Sequence, residues 1–219
     1  MLLKKLEVGP FKTNCYLVAD PETGDCIVID PGADVHVILN ALDEEHFTLR
    51  AVLLTHAHFD HFGAMWPLQM RRPTPVYVNE RDLAPIVNTG PYRFVPPEDT
   101  HFVSEGDEIK VGAMCFRVME CPGHTPGGVS YICEDMLFSG DTLLHMDCGC
   151  WVSACANPED LVSSLGKLRD LPGDYRLFPG HGKESMLSYE KAENPYLKPG
   201  LELYGLEEDE EDYLDPHAI

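Results

Sequence analysis

The chain has 219 residues, 44% of them hydrophobic, and a formal net charge of −21. That length and apolar share suit one domain with a sizeable core. The charge repels nucleic-acid phosphates and anionic lipid headgroups, which excludes both as general partners. Residues 201–219 hold eight acids and no Lys or Arg, so the remainder still carries −13. The N-terminal Met1-Leu2-Leu3-Lys4-Lys5-Leu6-Glu7-Val8 lacks the apolar core of a signal peptide, and no apolar run approaches the ~18 residues of a membrane span. Eight cysteines without such a signal are expected to be reduced thiols in a cytoplasm. None of them forms a Cys-x-x-Cys pair.

In chain order, residues 1–8, 15–19 and 26–30 read as strands, with the turn Asp20-Pro21-Glu22-Thr23-Gly24-Asp25 between the second and third. Asp34 is placed to cap a helix through about residue 43, with Val37, Ile38, Ala41 and Leu42 as its apolar stripe. A strand at 50–54 precedes Thr55. A helix is predicted to begin near Asp60 and cover Phe62 to Met70. A short strand comes next at 75–78, and Asn79 is placed to cap a helix carrying Leu83, Ile86 and Val87. Residues 88–105, rich in Pro and aromatics and without a period, read as a loop bordering a pocket, with Tyr92 and Phe94 at its mouth or in the core. Strands are predicted at about 108–112, 115–120, 129–133 and 136–140, with a loop at 121–128. Residues 143–156 carry Cys148, Cys150, Trp151 and Cys155 and show no readable pattern. Cys148 and Cys150 are read as buried or incidental thiols in preference to metal ligands or a redox pair.

Asn157-Pro158-Glu159-Asp160 is a helix start: a capping side chain, proline in the first turn and acids near the positive end of the dipole. Leu161, Leu165 and Leu168 stripe the helix it opens. A strand at 175–178 runs into Pro179-Gly180-His181-Gly182, and a last helix covers about 183–193. Beyond Pro199, the run from Glu207 to Asp212 reads as a solvated acidic tail. Strands in runs, broken by helices able to coat them, predict two sheets face to face with helices outside. The domain would span 1–200 and the tail 201–219.

The chemistry concentrates in Thr55-His56-Ala57-His58-Phe59-Asp60-His61, directly after the apolar run 51–54. Histidines two apart cannot share a helix face, where neighbours sit three or four apart. They can share one side of an extended segment, whose side chains alternate with period two. His56 and His58 therefore point the same way at a strand end, and Asp60 and His61 turn into the predicted helix. Imidazoles and a carboxylate converging there suit a zinc-type transition metal. Three later places repeat the syntax of an apolar strand running into His or Asp in a Gly- or Pro-flanked turn: His124, Asp141 and His181. Glycines there let the backbone turn sharply and let an ion approach. Histidines 36, 46, 101, 145 and 217 have no partner motif; His145, four residues after Asp141, is the one nearest the pattern.

His-x-His-x-Asp-His, Gly-His-Thr-Pro-Gly, Ser-Gly-Asp-Thr and Pro-Gly-His-Gly, in this order over residues 12–199, resemble the metallo-β-lactamase superfamily. Together with Glu193-Asn194-Pro195-Tyr196-Leu197 they are most similar to its hydroxyacylglutathione hydrolase, or glyoxalase II, branch. The resemblance implies an α/β fold, a four-layer αββα sandwich, with two divalent metal ions at one edge. Zinc is the first candidate, and iron or manganese would also suit these donors. By position, His56, His58 and His124 would hold one ion, Asp60, His61 and His181 the other, and Asp141 would bridge them; Asp60 and Asp141 are also assigned to catalysis. The implied chemistry is attack of a metal-bridging hydroxide on a thioester or related carboxylic ester of a small-molecule substrate. Neither nucleic acid nor membrane is expected as a partner.

The chain departs from full-length glyoxalase II in two places. It ends near residue 200 apart from the tail, without the helical domain that grips glutathione. The segment where the family often carries an Arg reads His145-Met146-Asp147-Cys148-Gly149-Cys150-Trp151. The alternatives to a thioesterase are a lactonase and a mononuclear iron persulfide dioxygenase, which shares much of the motif with fewer ligands. A nuclease is opposed by the acidic surface. A flavodiiron-type module would need a Glu where His58 stands and an appended flavin domain.

Overall fold

The computed structural model describes residues 1–84, 87 and 93–203. The N-terminal half builds a six-stranded sheet: β1 (Leu2–Val8), β2 (Thr13–Ala19), β3 (Asp25–Ile29), β4 (Thr48–Leu53), β5 (Val76–Val78) and β6 (Thr100–Phe102), side by side in that order. β1, β2 and β3 pair antiparallel, and β3 through β6 pair parallel. The C-terminal half builds a second six-stranded sheet from β7 (Glu108–Val111), β8 (Met114–Glu120), β9 (Val129–Cys133), β10 (Met136–Gly140), β13 (Arg176–Pro179) and β14 (Ser185–Met186). There β7 to β10 form an antiparallel meander, and β13 returns parallel to β10. A two-stranded ribbon, β11 (Leu143–Leu144) with β12 (Asp147–Cys148), stands between β10 and β13 in sequence.

Each half is a meander closed by a parallel crossover, and each crossover carries a helix: α1 (Val35–Glu44) between β3 and β4, and α4 (Pro158–Asp170) between β10 and β13. Three apolar clusters result from the period-two alternation of the strands. Tyr16, Val18, Ile27, Ile29 and Leu53 meet Phe116, Val118, Tyr131, Phe138 and Phe178 between the sheets. The alternate residues Cys15, Leu17, Cys26, Val28 and Val52 face α1 and the short helices α2 (Phe59–Phe62) and α3 (Met65–Gln69). On the far side Ile132, Leu137 and Leu177 meet α4 and α5 (Leu187–Glu193). Because both faces of each sheet are covered, the central strands read as unbroken apolar runs. The layers are αββα, as the sequence predicts.

Several local expectations change. Asp34 precedes α1 but makes no capping bond. Its backbone is left-handed, φ 52°, and its Oδ2 accepts instead from Gly9 N at 2.8 Å. Ile38, Ala41 and Leu42 are buried on α1 as expected, but Leu39 takes the place of Val37, which is 47% exposed. The single helix expected over 60–70 divides into α2 and α3 at Gly63-Ala64, where Ala64 N donates to Pro31 O at 2.9 Å and Pro67 has no N–H to return to Gly63. Asn79 does cap, its Oδ1 accepting from Arg81 N at 3.0 Å, but it caps a 3-10 turn, Glu80–Leu83, rather than an α-helix. The 88–105 stretch contains β6, and the last helix is preceded by β14. Of the two places open to Phe94 the structure takes the core, against Phe62, and Trp151 is a core residue against Tyr196. Ile86, Tyr92 and the acidic tail from residue 204 lie outside the described residues. Among the described residues no helix is long and apolar enough to cross a membrane.

Candidate metal centre

The two sheets are stitched together at one edge, and all seven sequence-derived site residues lie there. Tyr16 donates its hydroxyl to Pro179 O at 2.7 Å, Asn14 N to Gly180 O at 2.7 Å, Val129 N to Thr55 O at 2.8 Å and the Tyr131 hydroxyl to Leu54 O at 2.9 Å. These bonds set the loops after β4, β8, β10 and β13 against one another. At His56 and His58 the extended backbone does what period two requires, bringing the rings to 4.7 Å between centroids.

The side chains form three overlapping donor groups, of which His56, His61 and Asp141 make the middle one, shared between two outer clusters. In the first, His58 Nδ1 lies 3.1 Å from His56 Nε2 and 2.9 Å from His124 Nε2. In the second, Asp60 Oδ2 lies 3.2 Å from His181 Nε2 and 3.5 Å from His61 Nε2, and the two imidazole nitrogens are 3.3 Å apart. Asp141 stands between them: its Oδ2 is 3.5 Å from His61 Nε2, 3.4 Å from His181 Nε2 and 3.7 Å from His124 Nε2. A tetrahedral ion about 2.0–2.1 Å from each donor places them roughly 3.3–3.4 Å apart. Both clusters approach that spacing. The other oxygen, Asp141 Oδ1, is buried without a hydrogen-bond partner, and such an atom is costly unless something cationic or hydrogen-bonding meets it. Gly180 is glycine for the same reason: a Cβ there would come within 2.0 Å of Asp141 Oδ1 and 2.7 Å of the His61 ring.

The second nitrogen of every imidazole is also held, which settles which nitrogen faces the cluster. Thr55 Oγ1 donates to Asp30 Oδ2 at 2.7 Å and so receives Nδ1–H of His56 at 3.1 Å, leaving Nε2 of that ring to face an ion. His61 Nδ1 donates to Asp30 Oδ2 at 3.0 Å, His124 Nδ1 to Cys150 O at 3.0 Å and His181 Nδ1 to Phe11 O at 3.1 Å. His58 is turned the other way: Nδ1 faces the cluster and Nε2 lies 3.4 Å from Cys155 Sγ. Asp60 Oδ2 also accepts from Thr13 Oγ1 at 2.9 Å.

The charge balance differs between the clusters. Burial depresses His56, and the neighbouring imidazoles of His61 and His58 depress it further. Burial opposes charge on His61 as well, but Asp141, Asp60 and Asp30 outweigh it and hold that imidazole well above its ordinary value. His181 is raised likewise, by Asp141 and its bond to Asp60. Burial works against the carboxylates, yet His61 and His181 keep Asp60 and Asp141 below the usual range.

Sequence reasoning missed three residues that contact the site. Asp30 had the signal in plain view, since an apolar strand runs into Asp30-Pro31-Gly32. Thr13 and Cys155 had none. Of the residues singled out away from the motifs, His145 donates to the buried Glu190 at 2.8 Å and belongs to neither cluster. All eight cysteines are thiols rather than disulfides, and burial pushes Cys26 up to about 12 and Cys121 and Cys133 to about 11.

A fold of this topology with these clusters at its edge defines a class of metal-binding protein. Residues 8–181 match the Metallo-beta-lactamase superfamily, and the chain belongs to that superfamily. Among its relatives, the probable metallo-hydrolase YqgX of Bacillus subtilis is 33% identical, over 90% of this chain and 98% of its own. The hydroxyacylglutathione hydrolase GloC of Haemophilus influenzae is 31% identical over the same shares of the two chains. Of solved structures, the BLEG-1 B3 metallo-beta-lactamase superposes with a TM-score of 0.80 at 31% identity, covering 90% of this chain and 99% of that one. TTHA1623 in a di-iron-bound form superposes with 0.77 at 32% identity, covering 89% and 100%.

Proposed function

We propose that this chain is a dinuclear metal-dependent hydrolase that cleaves a thioester or related carboxylic ester. The observation that carries the reading is the pair of ligand clusters with Asp141 between them, each spaced for one ion. His56, His58 and His124 would hold one ion, Asp60, His61 and His181 the other, and Asp141 would touch both. When bound, such ions supply a hydroxide near neutral pH and polarise a carbonyl. The chain's own part is orientation. Asp30, Thr55 and the carbonyls of Phe11 and Cys150 lock the imidazoles, and Asp60 and Asp141 remain carboxylates across the physiological range. Zinc is the first choice of ion; the di-iron form of TTHA1623 makes iron the next.

The likeness to GloC supports a glutathione thioester as the first substrate to try, since that relative is matched over 98% of its length. The segment 143–157 bears no Lys or Arg, so it offers glutathione carboxylates no cation, and simpler thioesters and lactones belong in the same panel. The test is metal content on the protein as purified, then turnover of that panel. Two ions per chain with thioester turnover are expected. One iron per chain with sulfide-dependent oxygen uptake would replace this reading by the persulfide dioxygenase one.

A further inference from the structure

Asp82 lies in the 3-10 turn after β5, a segment that contributes no ligand to either cluster, and its side chain is completely buried. Its Oδ2 accepts from Ala57 N at 2.8 Å and from Thr125 Oγ1 at 3.0 Å, and its Oδ1 accepts from Gly127 N at 2.6 Å. Ala57 is the residue between His56 and His58; Thr125 and Gly127 come just after His124. One carboxylate therefore joins the loop after β4, in the first sheet, to the loop between β8 and β9, in the second. The turn is itself anchored across both sheets, because Asn79 Nδ2 donates to Val103 O at 3.0 Å and to Glu120 Oε1 at 3.2 Å, and Arg81 pairs with Glu120 at 2.7 Å. The approach is close enough that a Cβ on Gly127 would meet Asp82 Oδ1 at 2.6 Å and Asp82 N at 2.7 Å.

A buried carboxylate against two backbone N–H groups and a hydroxyl, with no Lys or Arg bonded to it, is an expensive arrangement for mere packing. All three donors lie within three residues of first-cluster histidines; of the second-cluster residues only Asp60 comes that near, to Ala57, and none lies within three residues of His61, Asp141 or His181. We infer that Asp82 is a positioning residue for the three-nitrogen cluster: it holds the His56/His58 loop and the His124 loop in register, so that their nitrogens converge on one point. The inference rests on the reading that this cluster holds an ion. Asp30 contrasts with it, since Asp30 bonds the His61 ring and Thr55 directly. A carboxylate only accepts, so Asp82→Asn turns an NH2 group toward one of the donors and breaks the clamp without changing volume.

The experiment uses the full chain, made metal-free with a chelator. Cobalt(II) is titrated into wild type and Asp82→Asn with absorption and native mass spectrometry as readouts, and backbone amide exchange is monitored in the metal-free proteins. We expect Asp82→Asn to bind one cobalt with wild-type affinity and the other about 10- to 100-fold more weakly, with exchange at Ala57 and Gly127 at least tenfold faster and that at Asp60 to Gly63 unchanged. Two equally weakened sites, or unaltered affinities with unaltered exchange at Ala57 and Gly127, would overturn the inference. Should Asp82→Asn not fold, Thr125→Val removes one donor at constant shape and should weaken the same single site several-fold; two unaltered sites there would overturn it equally. If wild type itself takes up one ion or cleaves no ester, the proposed hydrolase function fails, while exchange at Ala57 and Gly127 still reports whether Asp82 holds the loops.

Discussion

The two ligand clusters sit within a few ångströms of each other and are built differently. The first is three imidazoles without a carboxylate of its own, drawn from loops of both sheets. The second has Asp60 inside it, with Asp141 and Asp30 against His61. In the first, burial and like neighbours keep His56 neutral, a state ready to ligate. In the second, the carboxylates raise His61 and His181, so protons compete more strongly there with a cation for the same nitrogens. Equal ligand counts thus conceal one site that is prepared and one that is charge-compensated.

The largest effect expected is from Asp141→Asn, which takes a carboxylate from both clusters at once. Metal content and ester hydrolysis should fall together, turnover by about a hundredfold or more; full retention of two ions by an inactive variant would show that Asp141 does not link the clusters.

Acidification should separate the clusters. The raised His61 and His181 take up protons first as pH falls, and the depressed His56 last, while Asp60 and Asp141 stay ionised. The second-cluster ion should therefore leave at higher pH than the first. Metal content measured by dialysis across pH 8 to 4 checks this, and simultaneous loss of both ions would erase the distinction between a prepared and a charge-compensated site.

Asp30→Asn should weaken the second cluster by about 10- to 100-fold in metal affinity. It should also cost about 1–3 kcal/mol of stability, because a donor from Thr55 or His61 is left unmet in the interior. Chemical denaturation of the metal-free protein and cobalt titration read the two parts separately. The smallest effect belongs to Cys155→Ala, which removes the contact behind His58 Nε2 together with the thiol's contacts to Ser153 Oγ and His124 O. A few-fold loss at the first cluster is expected, with the second unaltered.

The residues of the site were legible because each announces itself locally. A strand with period two must send His56 and His58 to one side, and His124, Asp141 and His181 each come after an apolar strand, in a Gly- or Pro-flanked turn. The αββα layering was legible for a related reason, since strands buried on both faces are apolar throughout. Errors fell where short-range rules compete with contacts from elsewhere. Asp34 caps nothing because Gly9 N takes its carboxylate. The Phe62–Met70 helix breaks at Gly63-Ala64, where Ala64 N donates to Pro31 O, far away in the chain, and Pro67 has no N–H to return to Gly63.

What the sequence marked by itself was the candidate donor set, five imidazoles and two carboxylates at or just past strand ends, because strand period and turn chemistry are local. Only the tertiary structure decided which nitrogen of each ring faces inward and which residues hold the rings there; the division of the donors into two groups was already implied by the motif resemblance. The partners that settle those questions are far apart in the chain, 25 residues between Ala57 and Asp82, 97 between His58 and Cys155 and 170 between Phe11 and His181. Nothing local brings such groups together; the packing of one sheet against the other does.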